Sequence, residues 1–176
     1  MAQEINNKRN PAIILALSLS SAQEFFRKLC EVNIKLGLLN NSFEATIEDA
    51  GFEEFKNLRT LQRAFWIALV IEIGCLFDTH RSNNGKVISF KKIEFFQTPN
   101  IKNKIDAIHG EAIISKIIHT RNTFMGHKGE DKEDVISVPM ICASKLGSLL
   151  DQLNEPMKNF ASWYGNNNSQ NKSISI

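Results

Sequence analysis

The chain has 176 residues, of which 43% are hydrophobic and 23% are charged, the composition of a globular domain with its own core. A net charge of +2 is too small for a protein that coats long nucleic acid by electrostatic attraction alone, but it allows a local anion site. The N-terminus (MAQEINNKRN) is polar and has no apolar signal segment. The longest apolar stretch, residues 65–77, is shorter than the roughly 20 residues that span a bilayer and contains Glu72. We therefore expect a soluble, cytoplasmic protein.

The first half of the chain contains two helical patterns. Residues 11–39 begin with a proline, which suits a first helical turn, and carry apolar residues every three or four positions. A less apolar segment, residues 43–55, is interrupted by Gly51. Residues 57–80 are apolar on nearly all sides, which predicts a central helix covered by its neighbours.

In the second half of the chain, turn-forming residues interrupt the helical pattern more often. RSNNGK (81–86) breaks the helical pattern, and residues 87–96 fit either a strand or a short helix capped by Ser89. Helical spacing resumes over residues 101–125, where Gly110 marks a candidate break.

The last part of the chain predicts the domain organisation. Residues 126–134 are polar and glycine-containing, which predicts a solvated loop, and a final helix is expected over residues 139–164. The expected organisation is a flexible N-terminus (1–10), a single helical domain (11–164) and a disordered tail (165–176). The predicted fold is all-α, a four-helix up-and-down bundle with short additional helices.

The cysteines predict no disulfide framework. Cys30, Cys75 and Cys142 are far apart in apolar contexts, and no C-x-x-C pair occurs. We interpret them as buried thiols in a reducing compartment.

A group of polar residues follows the apolar run of residues 101–125. Arg121 and His127 are six residues apart, so an uninterrupted helix would separate their directions by roughly 120°. Gly126 precedes the histidine, and glycine readily takes the left-handed conformation that ends helices. A turn there would bring His127 back toward Arg121 and Asn122, with Lys128 beside them.

These side chains suit phosphodiester chemistry. The guanidinium of Arg121 matches a phosphate, His127 titrates near neutrality and can move a proton, and the amide of Asn122 can orient either partner. RNA supplies its own nucleophile, the 2′-hydroxyl, so cleavage needs neither a metal nor a cofactor. The alternative is structural, because Arg, Lys and His near a helix C-terminus bind the last carbonyls and complement the helix dipole.

The segment R-N-T-F-M-G-H (121–127), at the end of the third helix of a small helical protein, resembles the motif of the HEPN family (higher eukaryotes and prokaryotes nucleotide-binding domains), R-x-x-x-x-x-H. The run RTLQRAFWIALVIEIGCLFDTHR (59–81) is similar to the abortive-infection branch of that family. The resemblance covers roughly residues 11–164.

The resemblance implies a homodimer in which the Arg and His of both subunits meet in a cleft, with the seam on an apolar surface of the second and third helices. Many members are metal-independent endoribonucleases that act as toxins or in antiviral defence, so RNA and an antitoxin protein are the implied partners. Other members lack activity and only bind nucleotides or partners. The alternative function is therefore a non-catalytic nucleotide- or partner-binding module.

Members of the family commonly carry a buried acidic or polar residue on the second helix, and Glu72 and Asp78 are the candidates here. Glu72 either supports Arg121, within the chain or across the dimer cleft, or reaches solvent or pairs with Arg63 or Lys35. Asp78 either supports the site or simply ends its helix.

Overall fold

The computed structural model describes residues 10–42, 49–77, 88–126 and 143–172. Within these ranges the chain forms six α-helices and one 3-10 helix and no strand, which confirms the all-α class. The helices are α1 (Pro11–Ser42), α2 (Asp49–Phe77), the 3-10 helix (Glu94–Gln97), α3 (Pro99–Gly110), α4 (Ala112–Gly126), α5 (Ala143–Gln152) and α6 (Asn154–Lys172).

Helix α1 begins where the sequence predicts. The side-chain oxygen of Asn10 accepts a hydrogen bond from the backbone N–H of Ala12 at 2.9 Å, so Asn10 caps the helix. Pro11 occupies the first turn, where a missing N–H costs nothing. Residues 1–9, the rest of the predicted flexible N-terminus, lie outside the described residues.

Helices α1 and α2 lie antiparallel along each other. The rings of Phe25 and Phe65 stack with centroids 6.4 Å apart, and Gln62 donates a hydrogen bond to Asn33. As the residue number rises along α1 it falls along α2, which gives the direction of the pair.

Helix α2 is longer than the sequence predicts. It runs without interruption from Asp49 through Gly51, so the predicted interruption is wrong. A glycine inside a helix costs only about 1 kcal/mol relative to alanine, and packing along α1 offsets a cost of that size. Helix α2 packs on both α1 and α4 and its inner face is buried, but Leu61 and Ile71 on the opposite face are exposed, so the predicted cover on nearly all sides is only partly formed.

Residues 88–97 do not form the expected strand, and the short helix that they contain is confined to residues 94–97 and begins after Ile93, not at Ser89. After a turn, residues 94–97 form a short 3-10 helix that buries Phe96 in the core and packs the partly buried Phe95 against it. The backbone N–H of Phe90 donates to the carbonyl of Leu76 at 2.9 Å, which connects this segment to the end of α2. The rings of Phe90 and Phe96 contact edge to face, and Phe96 contacts Phe160 of α6. The breaker at 81–86 lies outside the described residues.

The candidate break at Gly110 is confirmed. Glu111 is extended (φ −63°, ψ 132°) between α3 and α4. The hydroxyl of Ser115 donates to the carbonyl of His109 at 3.1 Å, so the break satisfies a backbone acceptor at the end of α3.

The single helix expected after residue 139 is instead two helices, α5 and α6, which meet at Leu153. Pro156 explains the break, because a proline has no N–H and its ring clashes with the carbonyl four residues earlier, here that of Gln152. The N–H of Leu153 bonds the carbonyl of Leu150 at 3.2 Å, which tightens the last turn of α5. Residues 127–142, which include most of the predicted loop and the expected helix start, lie outside the described part.

Helix α6 continues to Lys172, so the disordered tail predicted from residue 165 is wrong over residues 165–172. The amide of Asn167 donates to the carbonyl of Trp163 at 2.9 Å, which supports the added turn. The turn before it is anchored by rings, since Phe160 is fully buried and stacks with Trp163.

Candidate functional site

Arg121 lies against helix α2 at Gly74. A Cβ atom built on Gly74 would be 2.0 Å from Cδ of Arg121 and 2.8 Å from its Nε. Real Cβ atoms do not approach heavy atoms so closely, so the arginine side chain occupies the space that any larger residue at position 74 would need. Arg121 is half-buried there.

The sequence of α4 explains this position. Ile114 and Ile117 are buried in the core, and Arg121 follows them at four- and seven-residue steps on the same helical face. Arg121 therefore continues the face that packs on α2. The aliphatic part of an arginine side chain can lie on an apolar surface while the guanidinium group reaches solvent.

Gly74 is the contact residue that the sequence interpretation missed. It is buried inside a helix that is otherwise rich in large apolar side chains. An isolated glycine in a helix interior is about 1 kcal/mol less favourable than alanine and often marks a close approach. That signal was present in the sequence, but it does not say which residue approaches.

The other predicted site residues are only partly described. Asn122 is exposed beside Arg121. His127, Lys128 and Asp78 lie outside the described residues. The approach of His127 to Arg121 therefore stays a prediction.

Glu72 is half-buried on α2, two residues before Gly74. Two residues correspond to about 200° around a helix, so Glu72 points away from the side on which Arg121 lies. Within the described part of the chain, Glu72 forms no ion pair with Arg121, Arg63 or Lys35. Glu72 therefore does not hold Arg121 through an ion pair within the described part of the same chain. A contact between Glu72 and Arg121 across a dimer cleft stays a prediction.

Helix α2 also presents an apolar line to solvent, which we call the outer stripe. Its two large members are Leu61 and Ile71, with 45% and 40% of their surface exposed. The stripe is completed by Ala64, Ala68 and Cys75, giving steps of three and four residues. That spacing is typical of a helix seam that packs on another helix. Gly74 is three residues after Ile71 and therefore one helical turn from it, so Arg121 lies against α2 beside the Ile71 end of the stripe.

Helix α2 is also long and apolar enough, by length and composition, to cross a membrane over Glu53–Phe77. A core helix of a soluble protein passes the same test. The inner face of this helix is the core described above, and Trp66, Leu69 and Ile73 on that face are buried.

A second polar cluster lies on α3. Asp106 accepts hydrogen bonds from Lys102 and Lys91, and these cations lower its pKa from 3.8 to about 2. The imidazole of His109, one helical turn after Asp106, lies against the ring of Phe77, with the two ring centroids 5.4 Å apart. Burial lowers the pKa of His109, and the nearby charge of Lys91 lowers it further. None of these residues was a predicted site residue.

Two further observations concern ligands and chemistry. Among the described residues, no three His, Cys, Asp or Glu side chains are grouped as metal ligands would be. Cys30 is half-buried, and burial raises the pKa of its thiol, which disfavours the reactive thiolate. Cys142 lies outside the described residues.

Comparisons of the chain with protein-family models, with curated proteins and with solved structures find no match.

Proposed function

We propose that this chain is a metal-independent endoribonuclease of the HEPN type, with a helical bundle like that of the family and a cytoplasmic role in a toxin–antitoxin or phage-defence system. The observation that carries the proposal is the position of Arg121. It belongs to R-N-T-F-M-G-H (121–127) and lies on α2 at the border of an exposed apolar stripe.

The proposed reaction is an internal transfer at phosphorus. The 2′-oxygen of a ribose attacks the adjacent phosphorus, the bond from phosphorus to the 5′-oxygen breaks, and a 2′,3′-cyclic phosphate forms. A proton leaves the 2′-hydroxyl and a proton arrives at the 5′-oxygen, and His127 serves this exchange. Arg121 neutralises the charge that builds up on the phosphorane, Asn122 orients the histidine or the ribose, and Lys128 attracts the backbone.

The proposed assembly is a homodimer that pairs the outer stripes of two copies. Leu61 and Ile71 are large apolar side chains left exposed at helix-seam spacing, and burying them favours association. A two-fold axis through this stripe would place the same surface of both copies together. Because Arg121 lies near one end of the stripe, a two-fold axis that passes beside Ile71 and Gly74 would bring the two arginines to one cleft. An antitoxin protein is a further proposed partner.

A second candidate is a helical module that binds a nucleotide or a partner without catalysis. The contact between Arg121 and Gly74 favours it as well, because an arginine stem packed on a helix is also what a purely structural residue does.

The two candidates separate in one cleavage experiment. The purified full chain is incubated in EDTA with an end-labelled RNA that contains every dinucleotide step, and Arg121→Ala and His127→Ala are compared with it. Lys116→Ala and His119→Ala are matched controls, because both residues are exposed on α4. The nuclease proposal expects the site variants to lose about 100-fold or more in rate and the controls to keep it. RNA that is bound but never cut by the unmodified chain supports the binding module.

A further inference from the structure

We infer that Gly74 is a positioning residue for Arg121: the missing side chain at position 74 is what lets the guanidinium reach its working place at the border of the outer stripe. This inference rests on the proposed function for its catalytic meaning. The contact itself does not depend on that function, because it is a packing relationship between α2 and α4.

The backbone gives no other reason for a glycine at this position. Gly74 lies within the regular helix α2 and has no positive φ angle, so any residue could adopt its backbone conformation. Alanine would be favoured there by helix propensity. The three heavy atoms nearest to a methyl group at position 74 all belong to Arg121, so the close approach of that side chain is what the methyl group would violate.

Two other helical glycines, Gly37 and Gly147, lack the contact with an arginine that Gly74 has. A Cβ on Gly37, inside α1, would meet nothing within 4 Å. A Cβ on Gly147 of α5 would meet Phe26 at 3.0 Å, a tight contact with a ring and not with an arginine. Gly37 is therefore a control for helix propensity, and Gly147 is a control for general tightness of packing.

A methyl group at position 74 should move Arg121 without unfolding the domain. The three nearest atoms are Cδ, Nε and Cγ of Arg121, so a change of rotamer of this one flexible side chain can make room for the methyl group. The helix itself gains from the change. We therefore expect Gly74→Ala to keep or raise the melting temperature and to lower the rate of RNA cleavage. A substitution of a residue that only supports the fold would lower both.

The test compares Gly74→Ala with Gly37→Ala and Gly147→Ala in the full chain. Three quantities are measured: the melting temperature, the NMR signal of the Arg121 Nε–Hε group and the rate of RNA cleavage in EDTA. The NMR signal is identified by its loss in Arg121→Ala. We expect Gly74→Ala to melt no lower than the unmodified chain, to shift the Arg121 signal and to lower kcat about 100-fold while KM changes little. An unshifted Arg121 signal in Gly74→Ala would overturn the inference.

A double-mutant cycle supplies the second criterion. In an Arg121→Ala background the obstructed side chain is absent, so adding Gly74→Ala should cause no further loss of cleavage. A further loss in the double variant would show that Gly74 acts through something else. If the unmodified chain cleaves no RNA, the proposed function fails, but the NMR comparison still decides whether Gly74 sets the position of Arg121.

Discussion

Lys91 donates a hydrogen bond to Asp106, and this contact fastens the turn before the 3-10 helix to α3. Lys102, one helical turn before Asp106, donates to the other carboxylate oxygen. One carboxylate thus joins two segments that flank the buried rings of Phe90 and Phe96. The cluster therefore ties the turn that carries Phe90 to α3.

Asp106 makes the stability of the protein depend on acid pH. Its pKa is about 2 in the folded chain and 3.8 without partners, so the contribution of its ion pairs is fully present above about pH 4. The contribution is lost as the pH falls from there through about 2. Because Asp106 is partly exposed, solvent screening limits it to about 1 kcal/mol or less.

Asp106→Asn should therefore make the free energy of unfolding depend less on pH in the acid range. We expect the variant to be slightly less stable than the unmodified chain near neutral pH and the difference to shrink as the pH falls through the same interval. Denaturant unfolding at a series of pH values measures it. Asp151→Asn is the control, because that carboxylate is exposed on α5 and forms no ion pair among the described residues. A difference between Asp106→Asn and the unmodified chain that is constant with pH would contradict the assignment.

The sequence predicted the all-α class, the start of α1 at Pro11 and the burial of one face of α2, because each follows from local pattern alone. It also placed the break at Gly110. It missed the break before α6, although Pro156 forbids a continuous helix there. It also ended the last helix too early, because a polar sequence gives little sign that a helix anchored by Phe160 and Trp163 continues beyond them.

The candidate site was predictable in its residues and not in its contacts. Arg121 stood out as a charged residue at the end of an apolar run, but the helix it would touch depends on how α4 crosses α2. Glu72 seemed a suitable partner by charge, yet helical geometry directs it away from Arg121. The partner that the structure supplies, Gly74, has no charge or hydrogen-bonding side chain, so its place inside an apolar helix could mark a close approach but could not identify Arg121 as the residue that approaches.

The aromatic core should respond strongly to truncation of Phe160. Its ring is fully buried and contacts those of Phe95 and Phe96 at 5.4 and 4.8 Å. Phe160→Ala should lower the free energy of unfolding by about 3–5 kcal/mol, measured by denaturant unfolding. Phe160→Leu, which keeps most of the volume, should cost less and serves if the alanine variant does not fold.

The control for this experiment is Ile34→Ala on α1, where the side chain is 65% exposed. We expect its effect to stay within about 0.5 kcal/mol. Equal effects of the Phe160 and Ile34 variants would mean that the ring cluster is not part of the core.

The outer stripe predicts a response in oligomeric state. Ile71→Glu places a charge in the proposed seam, so it should shift the protein from dimer to monomer while leaving the melting temperature of the monomer nearly unchanged. Sedimentation velocity measures the change. Ile34→Glu adds the same charge to an exposed apolar position on α1 and should leave the dimer intact. Loss of association in both variants, or in neither, would argue against the stripe as the interface.

The central claim is that the chain cleaves RNA through its own 2′-hydroxyl with the help of Arg121, and the chemical ends of the cut products test it most directly. The purified chain is incubated in EDTA with RNA, and the ends of the products are identified by mass spectrometry. A second set of RNAs, each with one 2′-deoxy sugar at a preferred cleavage step, is treated in the same way. We predict 2′,3′-cyclic phosphate and 5′-hydroxyl ends, no cut at the deoxy positions, and loss of both products in Arg121→Ala. Products with 3′-hydroxyl and 5′-phosphate ends, or equal cutting at the deoxy positions, would contradict it.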